Sequence, residues 1–171
     1  MTDPDFRDAF HRHKNVLFRF AYRMTGSSST AEDVVQDCFV ALWKKPAGYD
    51  PERGALRSYL LGTARNLILK RWRDERPHEP LEQESSICSP IDVVTLERAD
   101  AVAAAIQTLP PLQREALVLA EYEELALEEI ARVTDAELAA VKSRLHRARQ
   151  NLRRMLAPLL ESKGTLYGIE K

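Results

Sequence analysis

Apolar residues recur at helical spacing along almost the whole chain, and the breaks between these runs set its organisation. Phe6 to Met24 carries Phe10, Leu17, Phe20, Ala21 and Met24 on one face, which predicts an amphipathic helix. Thr25-Gly26-Ser27-Ser28 interrupts the period. Ser29-Thr30-Ala31-Glu32 fits a capping box, with Ser29 as N-cap and Glu32 at the third helical position. The following helix is expected to reach about Lys45, with Ala31, Val34, Val35, Cys38 and Leu42 as its buried stripe. Pro46-Ala47-Gly48 ends it, and Tyr49 to Gly54 reads as a loop. A long helix is expected from about Ala55 to Arg73, with Leu60, Ala64, Leu67 and Ile68 facing the core.

Pro77, Pro80 and Pro90 then bracket a stretch rich in Glu and Ser with no apolar period, which reads as a flexible linker. Periodic sequence resumes near Thr95. Helices are expected over Leu96–Gln107, Leu112–Tyr122, Leu127–Val133 and Ala136–Leu156, with Pro158 stopping the last and a frayed tail to Lys171. The pattern predicts an all-α chain of two small helical domains. Residues 1–76 form the first, 77–94 the linker, 95–160 the second and 161–171 the tail.

Composition narrows the class. Hydrophobic residues make up 44% and charged residues 30% of the 171, a balance suited to a globular protein with a real core. No apolar run is long enough to span a bilayer, and the charged segment Met1 to Arg12 has no apolar signal region, so a cytoplasmic protein is expected. Cys38 and Cys88 stand far apart with no second Cys or His near either, which argues against zinc and against a disulfide framework. No phosphate loop, metal-ligand spacing or nucleophile elbow is present, and His11, His13 and His78 have no evident partners. No enzyme, metal or cofactor is therefore expected.

The net charge of -1 does not announce a nucleic-acid binder, but its distribution does. Every charged residue from Arg57 to Arg73 is basic, and so is every one from Lys142 to Arg154. Acid is concentrated in Glu121 to Glu129 and in the linker. Two basic helices on a neutral chain imply two phosphate-facing surfaces, although solvated helix faces give the same pattern.

Glu128 to Arg132, a break at Val133-Thr134-Asp135, and Ala136 to Arg149 have helix-turn-helix spacing. Val141, Leu145, Ala148 and Leu152 would anchor the second helix. That leaves Ala140, Ser143, Arg144 and Arg147 on or near its outward face, flanked by Lys142, His146 and Arg149. Arg and Ser can read base edges in the major groove, and Lys and Arg hold phosphates.

Leu109-Pro110, Arg114-Glu115-Ala116-Leu117, Glu129-Ile130-Ala131 and Val141 to Arg149 closely resemble region four of the extracytoplasmic-function (ECF) RNA polymerase sigma factors. The resemblance implies that this domain binds the minus-thirty-five promoter element, with Arg114 joining the residues above. Asp135 stands where the family usually has a turn Gly, and Ala139-Ala140 replace a Gly-Thr pair. Asp tolerates the left-handed conformation such a turn needs.

The N-terminal block carries the same resemblance. Asp33, Gln36, Asp37 and Val40 form a polar, acidic strip opposite the buried stripe. Alone it reads as a solvated face. Ala31 to Asp37 with Phe39, Leu42 and Trp43 resembles the sigma helix that docks on the polymerase beta-prime clamp, which implies core-polymerase contacts at Asp33, Gln36, Asp37, Val40 and Trp43. Tyr59 to Asn66 is similar to the family's run that reads and melts the minus-ten element, with Tyr in place of Trp. The resemblance assigns that element to Tyr49, Arg53, Tyr59, Arg65, Asn66, Lys70 and Arg73. Arg65, Asn66, Lys70 and Arg73 would share one face away from the core. A flipped base stacks on an aromatic and is read by an amide, while Arg and Lys hold the strand. Tyr49 and Tyr59 are equally suited to a core.

The family's implied partners are core polymerase (beta-prime clamp and beta flap), promoter DNA and an anti-sigma factor, with membrane recruitment only through a membrane-bound anti-sigma factor. The rival reading is a sigma mimic that sequesters an anti-sigma factor without binding DNA. Its usual receiver domain has no room here, and the retained basic helices favour DNA.

Overall fold

The structure is a computed structural model that describes residues 1–81 and 97–166, with side chains to residue 161. Among the described residues the regular structure is entirely helical, as the periodicity requires. Residues 82–96, which include most of the expected linker of 77–94, lie outside the described residues, as do residues 167–171.

Helix α1 spans Asp3–Thr25. Thr2 and Asp5 close a reciprocal capping box, and Gly26 ends the helix in the left-handed region (φ 70), donating its N–H to the Tyr22 carbonyl at 2.8 Å. Helix α2 spans Ser28–Lys44. Its N-cap is Ser27, which corrects the Ser29 expected from the sequence: the Ser27 hydroxyl accepts the Thr30 N–H at 3.2 Å. The reason lies in Gly26, whose left-handed turn leaves Ser27 extended and ready to cap. Glu32 then stands too far along for a capping box. Two short 3₁₀ turns, Pro46–Gly48 and Pro51–Arg53, lead to α3, Leu56–Glu75. The three helices pack around Leu17, Phe20, Met24, Val34, Cys38, Leu42, Leu60 and Ile68, all essentially inaccessible. Each such side chain contributes roughly 1.5–3 kcal/mol of hydrophobic free energy.

The second unit begins with α4, Arg98–Thr108, and α5, Pro111–Leu117. Pro111 occupies the first turn of α5, where a missing N–H costs nothing. A π-helical stretch, Val118–Tyr122, continues α5. Helices α6, Leu127–Thr134, and α7, Leu138–Leu166, complete the unit. Helix α7 does not stop before Pro158, as the sequence led us to expect, but runs through it. Pro158 is exposed, so water can reach the carbonyl its ring leaves unpaired.

The two units are not held apart. Ile106, Leu109, Ala116, Leu117, Val118 and Leu119 belong to the same apolar cluster as the core of α1 to α3. A period reports that a face is buried but not what buries it. The surplus apolar positions of α3, such as Leu61, gave no sign that they would close against a second unit.

Candidate nucleic-acid interface

Three surfaces carry the residues singled out by the sequence. The first is the outer face of α2. Asp33, Gln36, Asp37, Val40 and Trp43 are all exposed, Val40 at 41% and Trp43 at 53%. Trp43 stands edge-on to Phe6 (5.0 Å between centroids) beside a groove of about 720 Å³ between α1 and α2, walled by Phe10, Val35 and Phe39. Arg71 of α3 reaches across to Asp37 at 2.9 Å and to Asp33 at 3.8 Å. The strip is therefore less acidic than its sequence suggests, and Arg71 belongs to this surface.

The second surface is the loop before α3 and that helix as far as Arg73. The Tyr49 and Tyr59 rings lie 5.5 Å apart, tilted by 49°, and both are half-buried. A Cβ on Gly48 would come within 2.9 Å of the Tyr59 hydroxyl, so a larger residue there would push the Tyr59 ring tip aside. Arg53, Asn66, Lys70 and Arg73 are exposed. Arg65 departs from the outward face expected for it. It turns toward the second unit, where Nε and Nη2 donate to the two carboxylate oxygens of Glu115 at 2.7 and 3.0 Å. The Arg65 side chain is 13% exposed and that of Glu115 1%, so this is a desolvated bidentate pair. Burial raises the Glu115 pKa above the ordinary carboxylate value, against the pull of Arg65 and of Arg144.

The third surface is the helix-turn-helix of α6 and α7. Asp135 takes the left-handed conformation (φ 50, ψ 47), so the turn forms without a glycine. Val141, Leu145 and Ala148 are buried and anchor α7. Lys142, Ser143, His146, Arg147 and Arg149 are exposed, while Ala140 and Arg144 are half-buried. Arg149 is held by Glu121, its Nε donating at 2.9 Å.

Arg114 is not on this surface. It is only 9% exposed and lies where the two units meet. Nη1 donates to the Met24 carbonyl, Nη2 to the carbonyls of Gln107 and Leu109. Gln107 itself donates to the Arg23 carbonyl. The guanidinium thus sits against the carbonyl ends of α1 and α4, where two helix dipoles favour a cation. Its Nε is buried without a partner, and burial pulls its pKa down to about 10, which still leaves it charged at neutral pH.

Further pairs line the same seam. Arg57 donates to the Glu123 carboxylate at 2.7 Å and carbonyl at 3.0 Å, and Ser58 donates to Glu129. Arg23 stacks over the Tyr122 ring at 4.0 Å. Sequence reasoning named Glu115 and Glu129 only within the family blocks and gave Gln107 and Glu123 no role. The available signal was the acidic run Glu121 to Glu129, which complements the basic run from Arg57.

Comparison with known proteins bears on all three surfaces. Residues 9–78 match the Sigma-70 region 2 family and residues 99–152 match Sigma-70, region 4. The chain is 31% identical to the ECF RNA polymerase sigma factor SigW of Bacillus subtilis over 90% of both lengths. It is 32% identical to the ECF RNA polymerase sigma factor SigE of Mycolicibacterium smegmatis, over 90% of this chain and 62% of that longer protein. Among solved structures, the sigma factor RpoE of Bartonella quintana in complex with the anti-sigma factor NepR superposes with a TM-score of 0.68 at 27% identity, covering 90% of this chain and 97% of that one. CnrH in complex with the cytosolic domain of CnrY gives a TM-score of 0.68 at 25% identity, covering 92% of this chain and 90% of that one.

Proposed function

We propose that this chain, which belongs to the ECF RNA polymerase sigma factors, binds core RNA polymerase and directs it to start transcription at particular promoters. The observation that carries this reading is the presence, in one chain and in order, of an exposed docking strip, a basic helix with a paired-tyrosine loop, and a helix-turn-helix. The α2 face, with Gln36, Val40 and Trp43, docks on the polymerase clamp. Exposed aromatic area of this kind is typical of a protein–protein contact. Tyr49, Arg53, Tyr59, Arg65, Asn66, Lys70 and Arg73 take the minus-ten element. Base stacking on aromatic rings, worth roughly 1–3 kcal/mol per base, offsets the few kcal/mol that unstacking costs. Lys142, Ser143, Arg144 and Arg147 enter the major groove at the minus-thirty-five element. Two tethered contacts reinforce each other through effective concentration, so neither has to be tight alone.

No described helix is long and apolar enough to cross a membrane. The reading places the protein in the bacterial cytoplasm and gives it an anti-sigma partner, as the two solved relatives have a bound regulator or cytosolic fragment. The test is run-off transcription with purified core polymerase on a randomised promoter library, with and without this protein. Transcripts that depend on the protein and share an upstream and a downstream motif are the expected result. Absence of core binding would sink the reading and favour a sequestering mimic.

A further inference from the structure

We propose that Phe6 is a positioning residue for polymerase docking: from the first turn of α1 it holds the exposed Trp43 ring of α2 in the orientation in which the clamp receives it. This rests on the function proposed above and deepens it at the docking strip. Trp43 is the next-to-last residue of α2 and is 53% exposed, so its own helix does little to fix its ring. What fixes it is a row of edge-to-face contacts that starts in the core. Phe39 is buried, Phe6 stands edge-on to it at 6.0 Å between centroids and 88°, and Trp43 stands against Phe6 at 5.0 Å and 69°. Edge-to-face geometry at these separations is favourable for aromatic pairs. Phe10 braces Phe39 from the next turn of α1, at 4.9 Å and 65°. The turn that carries Phe6 is itself secured. The Thr2 N–H donates to the Asp5 carboxylate at 3.0 Å, the Asp5 N–H to the Thr2 hydroxyl at 3.4 Å, and the Phe6 N–H to the Thr2 carbonyl at 3.0 Å. A cap of this kind keeps a first turn from fraying. Phe6 also faces the groove that Gln36, Val40 and Trp43 line, so the ring row is continuous with the docking strip. It precedes residues 9–78, which match the region 2 family, so the match gives it no role. A side chain already ordered in the free chain loses less entropy on binding than one ordered by its partner. Phe6 thereby raises affinity for core polymerase without having to touch it.

The chain's two tryptophans are Trp43 and Trp72, so a full-length Trp72→Phe parent reports on Trp43 alone. In that parent, Phe6→Leu keeps apolar bulk and removes the ring. It should bind purified core polymerase about three- to tenfold more weakly, the factor that one aromatic edge-to-face pair is worth. The fluorescence anisotropy of Trp43 in the free chain should decay faster. Phe6→Tyr, which keeps the ring, should restore both. With Trp43→Ala already present, Phe6→Leu should cost no further affinity, because no indole is left to position. A Phe6→Leu chain that binds as tightly as the parent would overturn the positioning role, as would one that loses as much affinity in the Trp43→Ala background as outside it. Unchanged affinity in Trp43→Ala alone would overturn it too. Each of these results leaves the sigma function standing. A parent chain that does not bind core polymerase would overturn both.

Discussion

Helices α3 and α7 are both basic and both proposed to meet DNA, yet the structure treats them differently. Arg65, at the centre of α3, is paired with a buried carboxylate from the other unit. On α7, Lys142, Ser143, His146 and Arg147 face outward. Charge along a helix is therefore not enough to declare a nucleic-acid surface. What decides is which group each cation meets in the folded chain. On the seam-facing helix Arg65 is engaged by the other unit while Asn66, Lys70 and Arg73 stay exposed; on α7 Lys142, Ser143 and His146 are exposed and Arg149 is held by Glu121.

The largest effect should separate the two helices by stability. Arg65→Ala strands the Glu115 carboxylate in a desolvated seam, a change that costs roughly 3–5 kcal/mol when one partner of a buried pair is removed. Amide hydrogen exchange along α5 should speed up accordingly. Lys142→Ala on α7 should shift stability by no more than about 0.5 kcal/mol, as surface changes usually do. Equal responses would erase the distinction. The next effect concerns reading. Arg144→Ala should weaken promoter binding by about 1–3 kcal/mol and relax one upstream base position. Lys142→Ala should instead weaken all promoters alike and lower the salt slope of binding by about 1. Binding titrations on base-substituted promoters at several salt concentrations distinguish the two.

The smallest effect is in the pH dependence. The Glu115 carboxyl is raised in the folded chain, so it holds a proton at pH values where the unfolded chain has already released one. Its contribution favours the folded chain below the ordinary carboxylate value. That contribution is lost as pH rises from there through the raised folded value. Thermal melts of wild type and Glu115→Gln should differ in this acidic window, with the Gln variant showing the flatter profile.

Much of this was legible in the sequence. Gly26 and Asp135 marked turns that the backbone makes in the left-handed region. The apolar periods of α1, α2 and α3 matched buried faces, and the family blocks fell on α2, on α3 and on the helix-turn-helix of α6 and α7. What the sequence did not disclose was the seam. Glu115 looked like one acid in a helix, and only its long-range neighbour makes it a partner of Arg65. Arg114 was read as a DNA ligand from its motif, because no local pattern reveals that the carbonyl ends of α1 and α4 converge on it. Ser27 displaced Ser29 as N-cap for a similar reason: the geometry of the preceding turn decides which hydroxyl reaches the free N–H groups.

The most direct test of this account is the distance between the two units in solution. Fluorescent labels on the exposed Arg19→Cys in α1 and Arg153→Cys in α7, in a Cys88→Ser chain, report it. The account predicts one short distance in the free protein and a longer one when core polymerase and promoter DNA are both bound. A free chain already at the long distance would contradict it.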